Sequence, residues 1–280
     1  MDKTAIVTGG AGGMGLATAR ILGADHHVVL TDVRRDRLDA AVAELASAGV
    51  SAQAELCDIT DRPAVDTLFA TAVATGQVRA VVHSAGVSPQ MGSAETIVKI
   101  NAVGTVNVTE AALTMAHDGS ALVNVASIAG HMLPGFLVPK RTYRLASTDV
   151  DKFTRKLVAT ASRGPEKMRP GSAYSLSKNF VIWYSQDRAA AFGARGARIL
   201  SVSPGTFDTE MGRLEEKSGS ARLLEYAALK RFGRPEEIAE LLAFCASDKP
   251  GYLTGTDILC DGGTKAGLGL KDMISMARHS

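Results

Sequence analysis

The chain has 280 residues, of which 46% are hydrophobic and 21% are charged, so it can bury a large core. Its formal net charge of +2 argues against a general nucleic-acid-binding role. The first residues, MDKTAIVTGG, lack the features of a secretory signal, and no apolar run is long enough to span a bilayer. We therefore expect a cytoplasmic protein that has no membrane partner.

The three cysteines, Cys57, Cys245 and Cys260, are far apart in the sequence. They form no CxxC motif and no Cys/His spacing typical of a metal site. Buried, reduced thiols in a cytosolic protein are the simplest interpretation, and no metal is predicted.

Short apolar runs alternate with helical segments along the chain. The runs are TAIVT, HVVLTD, a weaker AQAELCD, RAVVHSAG, ALVNVAS, ARILSVSPG and DILCDGG. Helices are predicted over 34–48, 61–75, 94–116 and 173–193. Nearly continuous apolar strands are buried on both faces, and their alternation with helices favours right-handed βαβ crossovers. The pattern predicts one doubly wound α/β domain over 1–280, with a parallel sheet of about seven strands.

A glycine-rich loop, TGGAGGMG over 8–15, follows the first strand and opens the first helix. Glycines let the backbone approach a ligand, and the helix N-terminus supplies free N–H groups to a phosphate. Two registers fit: GxGxxG through Gly10, Gly12 and Gly15, or TGxxxGxG through Gly9, Gly13 and Gly15, with Met14 between the last two. Either register predicts a dinucleotide site.

Asp32 ends the second predicted strand, at the spacing expected for an acid that binds the adenine ribose. A carboxylate there accepts hydrogen bonds from the ribose hydroxyls and repels a 2′-phosphate, which favours NAD over NADP. Arg34 and Arg35 follow closely and could restore NADP use, or they could be solvated residues at the start of a helix.

The stretch SAYSLSK places Tyr174 and Lys178 four positions apart, on one face of a helix. Together with TGxxxGxG, Asp32 and Ser127 in ALVNVASIAG, this YxxxK pair resembles the short-chain dehydrogenase/reductase family. SVSPGTFDT resembles the family's PGxxxT cofactor loop, and YLTGTDILCDGG resembles its closing strand. The resemblance covers nearly the whole chain and implies a single-domain, Rossmann-type fold.

The chemistry of these residues fits that resemblance. Free tyrosine has a pKa of about 10 and is a poor base at neutral pH, but a neighbouring ammonium stabilises the phenolate. Tyr174 is therefore the predicted acid/base, with Lys178 beside it and Ser127 holding the substrate oxygen. Lys178 can also bind the nicotinamide ribose. Asn101 in VKINAVGTVN resembles the family asparagine that supports a proton-carrying water.

The resemblance also implies a set of cofactor contacts. Asp58 in LCDIT resembles the residue that caps the adenine, although Asp before a helix is also an ordinary turn or cap residue. Ala85 and Gly86 match the end of the family's NNAG motif. The predicted cofactor-binding residues are Gly9, Gly13, Met14, Gly15, Asp32, Asp58, Ala85, Gly86, Tyr174, Lys178, Pro204, Gly205, Thr206 and Thr209.

Two features depart from the common pattern. His83 stands where the family has an asparagine that ties strands together, so His83 is expected to do that structural work rather than catalysis. The spacing from Ser127 to Tyr174 is long, and it resembles the bacterial 3α-hydroxysteroid dehydrogenase/carbonyl reductase branch. In that branch the extra segment changes subunit packing, so we expect a homo-oligomer, either a dimer or a tetramer.

The extra segment, residues 131–171, is called the insert below. It carries nine Lys and Arg against three Asp and Glu. Thr148 and Asp151 have the spacing of a helix cap followed by a first-turn acid, and Phe153, Leu157 and Ala161 form an apolar stripe. The insert is either a basic surface helix packed by that stripe or a cationic lid for an anionic substrate. A covering helix is expected over 208–231.

These residues and the resemblance together predict NAD(H)-dependent interconversion of a secondary alcohol and a ketone, and the resemblance to the hydroxysteroid dehydrogenase branch implies a hydroxysteroid or another bulky carbonyl compound as substrate. One alternative is a 3-oxoacyl thioester reductase, whose acidic carrier suits the basic insert. The other is a regulator that binds dinucleotide without turnover, against which the retained Ser127, Tyr174, Lys178 and Asn101 count.

Overall fold

The computed structural model describes residues 2–216 and 220–269. Seven parallel strands form one sheet in the order β3-β2-β1-β4-β5-β6-β7. The strands are β1 Lys3–Thr8, β2 His27–Asp32, β3 Ala52–Leu56, β4 Gln77–His83, β5 Ala121–Val125, β6 Arg198–Pro204 and β7 Asp257–Cys260. The α-helices are α1 Gly13–Leu22, α2 Arg35–Ser47, α3 Arg62–Thr75, α4 Ala94–Val98, α5 Gly104–Met115, α6 Lys140–Tyr143, α7 Val150–Ala161, α8 Arg169–Gly193, α9 Glu210–Glu216, α10 Pro235–Ala246 and α11 Thr264–Gly267.

The strand order reverses direction between β1 and β4. Val7 pairs with Leu30 on one side of β1 and with Val82 on the other. In open parallel sheets a crevice forms at such a reversal, outside the carboxyl ends of the strands. The predicted α/β class and the seven strands are confirmed.

The sheet is covered on both faces, as the apolar strands predict. Ala5 and Val7 of β1 pack in one core with α1, α2 and α10, through residues such as Leu22 and Ile238. Ile6, between them, packs in the opposite core with α3 and α5. Side chains alternate between the two faces of a strand, so a strand buried on both faces has no polar side.

The insert is helical, with α6 and α7 joined by a short 3₁₀ turn, and it packs on α4 and α8 through its own apolar core. Phe153 and Leu157 are fully buried, and Ala161 is 1% exposed. The Phe153 and Phe180 rings lie 4.6 Å apart, and Tyr143 meets Phe180 edge to face at 5.2 Å. The predicted stripe is thus the buried face of α7.

The predicted cap of α7 is wrong. Asp149 caps the helix instead of Thr148, because its carboxylate accepts a hydrogen bond from the backbone N–H of Lys152 at 2.9 Å. The Thr148 hydroxyl points back and donates to the Leu145 carbonyl. Asp151 does lie in the first turn, where a negative charge suits the helix dipole.

Two helix predictions differ from the structure in extent. α8 begins at Arg169 rather than 173, because Pro170 is tolerated in the first turn, where no intrahelical N–H bond is required. The segment 208–231 holds two short pieces, α9 and a 3₁₀ turn over Ser220–Glu225, and residues 217–219 fall outside the described part of the chain.

Among residues 2–216 and 220–269, no helix is long and apolar enough to cross a membrane, and no cluster of ligand-type side chains could hold a metal ion. Cys57 and Cys245 are buried and Cys260 is half-buried, and all three are free thiols. Burial raises the pKa of Cys57 and of Cys245 to about 11, which keeps these thiols protonated at neutral pH.

Candidate active site

Ser127 lies just beyond the carboxyl end of β5, at the head of a 3₁₀ turn over Ile128–His131 that is called the serine turn below. Every residue of β5 is buried, so the strand fixes where this turn begins. Ser127 is 9% exposed, and its hydroxyl oxygen accepts a hydrogen bond from the Ala129 N–H at 3.2 Å.

Tyr174 and Lys178 lie one turn apart on α8, as their spacing predicts. The Lys178 ammonium is 6.0 Å from the centroid of the Tyr174 ring. It also donates a 2.9 Å hydrogen bond to the backbone carbonyl of Val125, the last residue of β5. This bond fixes a buried cation between the tyrosine of α8 and the strand that leads to Ser127.

Asn101 lies in a π-helical turn, Lys99–Val103, between α4 and α5. Its side-chain amide bonds to both backbone groups of Val87: the Oδ1 accepts from the N–H at 2.8 Å and the Nδ2 donates to the carbonyl at 2.9 Å. The Nδ2 also reaches the Ser177 hydroxyl at 3.4 Å, and that hydroxyl donates to the Tyr174 carbonyl. Asn101 thus joins the loop after β4 to the helix of Tyr174.

Gly86 packs directly against this group. A Cβ at position 86 would lie 3.1 Å from the Asn101 Oδ1 and 3.5 Å from the Lys178 Nζ. A side chain here would press on both polar groups, so the structure favours glycine for a close approach rather than for a turn. The predicted catalytic residues Ser127, Tyr174, Lys178 and Asn101 therefore surround one end of β5 and the start of the loop after β4.

The glycine loop forms a cradle at the start of α1. Gly9 adopts a left-handed φ of +65°, and a Cβ there would lie 2.8 Å from the backbone of Ala85. A Cβ on Gly15 would lie 2.4 Å from the Gly9 carbonyl oxygen, so helix and loop pack too closely for a side chain. A Cβ on Gly13 would meet the Thr209 methyl at 3.3 Å. Met14, in the first turn of α1, lies half-buried against the core.

Gly10 is equally restricted, since a Cβ there would lie 2.5 Å from the Leu30 side chain and 2.8 Å from the Val7 carbonyl oxygen, so packing excludes side chains at glycines of both the TGxxxGxG and the GxGxxG registers. These glycines leave the N-terminal N–H groups of α1 facing the crevice at the strand-order reversal. The loop has the form of a phosphate cradle.

The loop after β6 faces the glycine loop. Pro204 ends β6, and the Gly205 N–H donates to the Cys260 carbonyl at 2.9 Å. The Thr206 carbonyl accepts from the Gly233 N–H at 3.0 Å. The Thr209 hydroxyl accepts from the Gly212 N–H at 3.0 Å, which starts α9. The structure therefore brings Thr209 beside Gly13, although the two are distant in the sequence.

At the end of β2 the Asp32 carboxylate accepts a hydrogen bond from the Val33 N–H at 2.8 Å. Arg34 is paired with Asp36 at 2.5 Å, and Arg35 with Asp39 at 3.0 Å. Both guanidinium groups thus lie against carboxylates of their own helix start, and Asp36 raises the pKa of Arg34 through a hydrogen bond.

Asp58 is exposed, and its Oδ1 accepts hydrogen bonds from the N–H and the hydroxyl of Thr60, both at 2.8 Å. This is the arrangement of an ordinary aspartate turn ahead of a helix. The turn role is therefore observed, and the adenine role stays a prediction.

His83 holds strands together, as predicted. Its Nδ1 lies 2.7 Å from the Thr8 hydroxyl of β1, and its Nε2 lies 3.2 Å from the Thr105 hydroxyl of α5. The imidazole is buried, and burial together with the nearby Lys178 charge lowers the pKa of His83 to about 3. His83 is therefore a neutral, buried histidine near Lys178.

Two polar pairs near the serine turn were not predicted from the sequence. The His131 Nε2 lies 2.8 Å from the Asp257 Oδ2 of β7. The Asn179 Nδ2 donates to the Gly130 carbonyl at 2.8 Å. The sequence does show Asp257 at the start of the apolar run DILC and the polar Asn179 next to the YxxxK lysine, but it does not indicate which residues they bond to.

Comparison with known proteins identifies the family. A family model described as short chain dehydrogenase matches residues 3–140, and one described as Enoyl-(Acyl carrier protein) reductase matches residues 143–265. The Short-chain dehydrogenase/reductase bsc3 of Alternaria brassicicola is 32% identical over 271 residues, covering 95% of this chain and 97% of that protein. The chain belongs to the short-chain dehydrogenase/reductase family of oxidoreductases.

Two other relatives bear on substrate and cofactor. The 3beta-hydroxysteroid dehydrogenase 2 of Eggerthella lenta is 27% identical, with 94% of this chain and 95% of that protein covered. A short chain dehydrogenase from Burkholderia cenocepacia J2315, solved in complex with NADP, is 25% identical with a TM-score of 0.74, and the match covers 95% of this chain and 98% of that one. The family thus includes relatives named for steroid substrates and relatives with NADP bound.

Proposed function

We propose that the chain interconverts a secondary alcohol and a ketone, with NAD(H) as the hydride acceptor or donor. The observation that carries this proposal is the Lys178 ammonium, buried between the Tyr174 ring and the Val125 carbonyl that leads to Ser127. A cation held there by a backbone bond favours the phenolate form of Tyr174, which a proton-accepting tyrosine needs.

The protein groups divide the work as follows. Ser127 donates a hydrogen bond to the substrate oxygen and stabilises the charge that develops on it. In alcohol oxidation Tyr174 takes the hydroxyl proton, and in ketone reduction it returns a proton to the oxygen. A bound nicotinamide supplies or accepts the hydride. Asn101 fixes the loop at Val87 against α8, and it is the proposed route by which the proton continues outward.

The residues present fit a dinucleotide. The cradle of Gly9, Gly13 and Gly15 would hold the pyrophosphate, since a Cβ at each would meet protein atoms within 3.3 Å. Asp32 would hold the adenine ribose, and Ala85, Gly86, Pro204, Gly205, Thr206 and Thr209 would line the remaining contacts. Met14 and Asp58 complete the proposed set.

NAD is favoured over NADP by charge. The Asp32 carboxylate would repel a 2′-phosphate, and Arg34 and Arg35 are already paired with Asp36 and Asp39. We expect kcat/KM with NADH to exceed that with NADPH by about tenfold or more, since such a carboxylate discriminates through the 2′ position. Asp32→Ser should lower the ratio of kcat/KM with NADH to kcat/KM with NADPH, and Asp66→Ser is the matched control, because it removes an exposed carboxylate on α3 that pairs with Arg62 rather than with Arg34 or Arg35. A parental preference for NADPH would overturn the assignment.

A bulky apolar carbonyl compound such as a hydroxysteroid is the proposed substrate class. The segment after the serine turn exposes Phe136 and Leu137, whose residues are 88% and 55% exposed, and Met91 follows β4 in a turn that contacts α9. Contiguous exposed apolar side chains mark sites that bind apolar partners, and Phe136 and Leu137 are adjacent in the chain. The name of the Eggerthella lenta relative points to the same class.

A 3-oxoacyl thioester is the second candidate, because the basic insert would attract an anionic carrier or CoA group. A panel of steroids, simple ketones and acyl thioesters, followed by the absorbance of the reduced cofactor, separates the two. Turnover of neutral ketones supports the first class, and turnover restricted to thioesters supports the second. Cofactor binding without turnover of any compound would instead favour the dinucleotide-binding regulator.

A further inference from the structure

The serine turn, Ile128–His131, is held against α8 by a side chain outside the proposed catalytic set. The Asn179 Nδ2 donates a 2.8 Å hydrogen bond to the Gly130 carbonyl. Gly130 also packs on the backbone of α8, since a Cβ there would lie 2.8 Å from the Lys178 carbonyl carbon. Asn179 therefore ties the turn that begins at Ser127 to the helix that carries Tyr174 and Lys178.

Tyr143, in the insert, sets the orientation of that amide. Its hydroxyl oxygen lies 3.1 Å from the Asn179 Oδ1 and 3.0 Å from the Leu176 carbonyl oxygen, so its single proton is shared between these two acceptors. Tyr143 is fully buried, and burial raises its pKa, so the hydroxyl stays protonated and can act as donor. With Oδ1 facing this donor, the Nδ2 of Asn179 must face Gly130.

The serine turn is also held on its other side. The His131 Nε2 lies 2.8 Å from the Asp257 Oδ2 and 3.2 Å from the Ser203 hydroxyl. Because β6 and β7 hold this second end, the freedom left to the turn is its approach to α8. Asn179 bridges this remaining side of the turn, toward the helix that carries Tyr174.

We propose that Asn179, oriented by Tyr143, is a positioning residue for Ser127, and that the insert thereby supports catalysis from within the fold. This inference rests on the proposed function for its catalytic part. A displacement of a catalytic group by about 1 Å can cost as much as 100-fold in rate, so a single lost tether has a measurable effect.

The kinetic test compares two buried tyrosine hydroxyls. Tyr143→Phe should lower kcat by about threefold to tenfold, and Asn179→Ala by about tenfold to 100-fold, with the cofactor KM unchanged in both. Tyr184→Phe is the matched control, because it removes an equally buried hydroxyl on α8 that bonds to Glu110 at 2.5 Å instead of Asn179. Its kcat should stay at the parental value.

A double-mutant cycle tests the route through Ser127. If Asn179 acts by placing Ser127, Asn179→Ala should cause no further loss of kcat in a Ser127→Ala background. A residue that only stabilises the fold would lower the rate by the same factor in both backgrounds. Equal factors would therefore overturn the positioning role.

Hydrogen exchange tests the tether without substrate. The amides of Ala129 and Gly130 bond to Ser127. Their exchange should accelerate about tenfold or more in Asn179→Ala and in Tyr143→Phe, but not in Tyr184→Phe. If both exchange and kcat were unchanged in Asn179→Ala and Tyr143→Phe, the inference would be overturned. The proposed function would still stand, provided that the parent protein turns over substrate. A parent inactive on every compound would remove the proposed function and the catalytic role of Asn179, and exchange would still decide the tether.

Discussion

The carboxyl edge of the sheet and the insert are held in place by different kinds of interaction. At the edge, polar side chains are buried and bond mainly to backbone groups, as Lys178 does to Val125 and Asn101 does to Val87. The insert has an aromatic interior, where Tyr143 and Phe153 pack on Phe180 of α8. Chemistry at the edge therefore depends on a few fixed hydrogen bonds, whereas the shape of the insert depends on packed area.

The two regions also differ at their surfaces. Outside the insert many arginines lie in ion pairs, for example Arg62 with Asp66 and Arg188 with Glu110. Within the described part of the chain, none of the nine Lys and Arg side chains of the insert forms an ion pair within 4.0 Å. The insert thus presents uncompensated positive charge around a well-packed core.

The largest expected effect is at the edge. Tyr174→Phe removes the proposed proton acceptor and should lower kcat/KM by about 1,000-fold, within the range of general acid-base catalysis. Cofactor affinity, measured by titration of the reduced dinucleotide, should change little because Lys178 remains. A correctly folded variant with the parental rate would break the contrast, since the edge would then not depend on this hydroxyl.

The second effect is in the insert. Phe153→Ala deletes a fully buried ring from the core against α8 and should lower the free energy of unfolding by about 3–5 kcal/mol, measured by urea denaturation. Phe136→Ala, at a residue that is 88% exposed, is the control and should change it by less than about 0.5 kcal/mol. Equal effects of the two substitutions would show that the insert is not held by packing.

The third effect is a pH dependence of the free energy of unfolding, which comes from His83 at the edge and not from the insert. His83 is neutral in the folded state, where its pKa is about 3, and titrates near 6.5 when unfolded. The unfolded chain therefore binds a proton that the folded chain does not between these values, so stability is lost as the pH falls from 6.5 toward 3. The loss should be about 2 kcal/mol between about pH 7.5 and about pH 5.

Replacing His83 with asparagine isolates this contribution from the other titrating groups. The free energy of unfolding of His83→Asn should depend less on pH over this range, by about the same 2 kcal/mol. An identical pH dependence in parent and variant would mean that the imidazole is not buried in its neutral form.

The smallest effect is on the insert surface. Reversing Lys152, Arg155 and Lys156 to Glu should change stability by less than about 0.5 kcal/mol per site and leave kcat/KM for a neutral ketone unchanged. If the variant had a higher KM than the parent for an acyl thioester, and added salt removed this difference, the cationic lid would be supported. An ionic-strength series on both substrates, with parent and variant in parallel, measures the difference.

The sequence predicts the edge better than the insert, for a physical reason. The alternation of apolar runs and helices follows from burial on two faces, and the spacing of Tyr174 and Lys178 follows from helix geometry. Both are local patterns. The bonds of His131 to Asp257 and of Asn179 to Gly130 join residues that only the fold brings together, so no local pattern indicates them.

The cap of α7 shows a different limit. Thr148 and Asp149 are adjacent and both are good cap residues, so a shift of one position decides which side chain meets the free N–H of Lys152. The packing of the apolar stripe of α7 on α8 sets that position. The stripe can be identified in the sequence, but the rotation of α7 about its own axis cannot.

The wide turn at Lys99–Val103 makes the length of the chain part of the active site. A π turn arises from one residue more than a regular helix would contain. Removing a single residue just before Asn101 would restore regular winding and rotate that side chain by about 100° around the helix axis. A segment that kept this asparagine but was one residue shorter would thus present its side chain away from Val87.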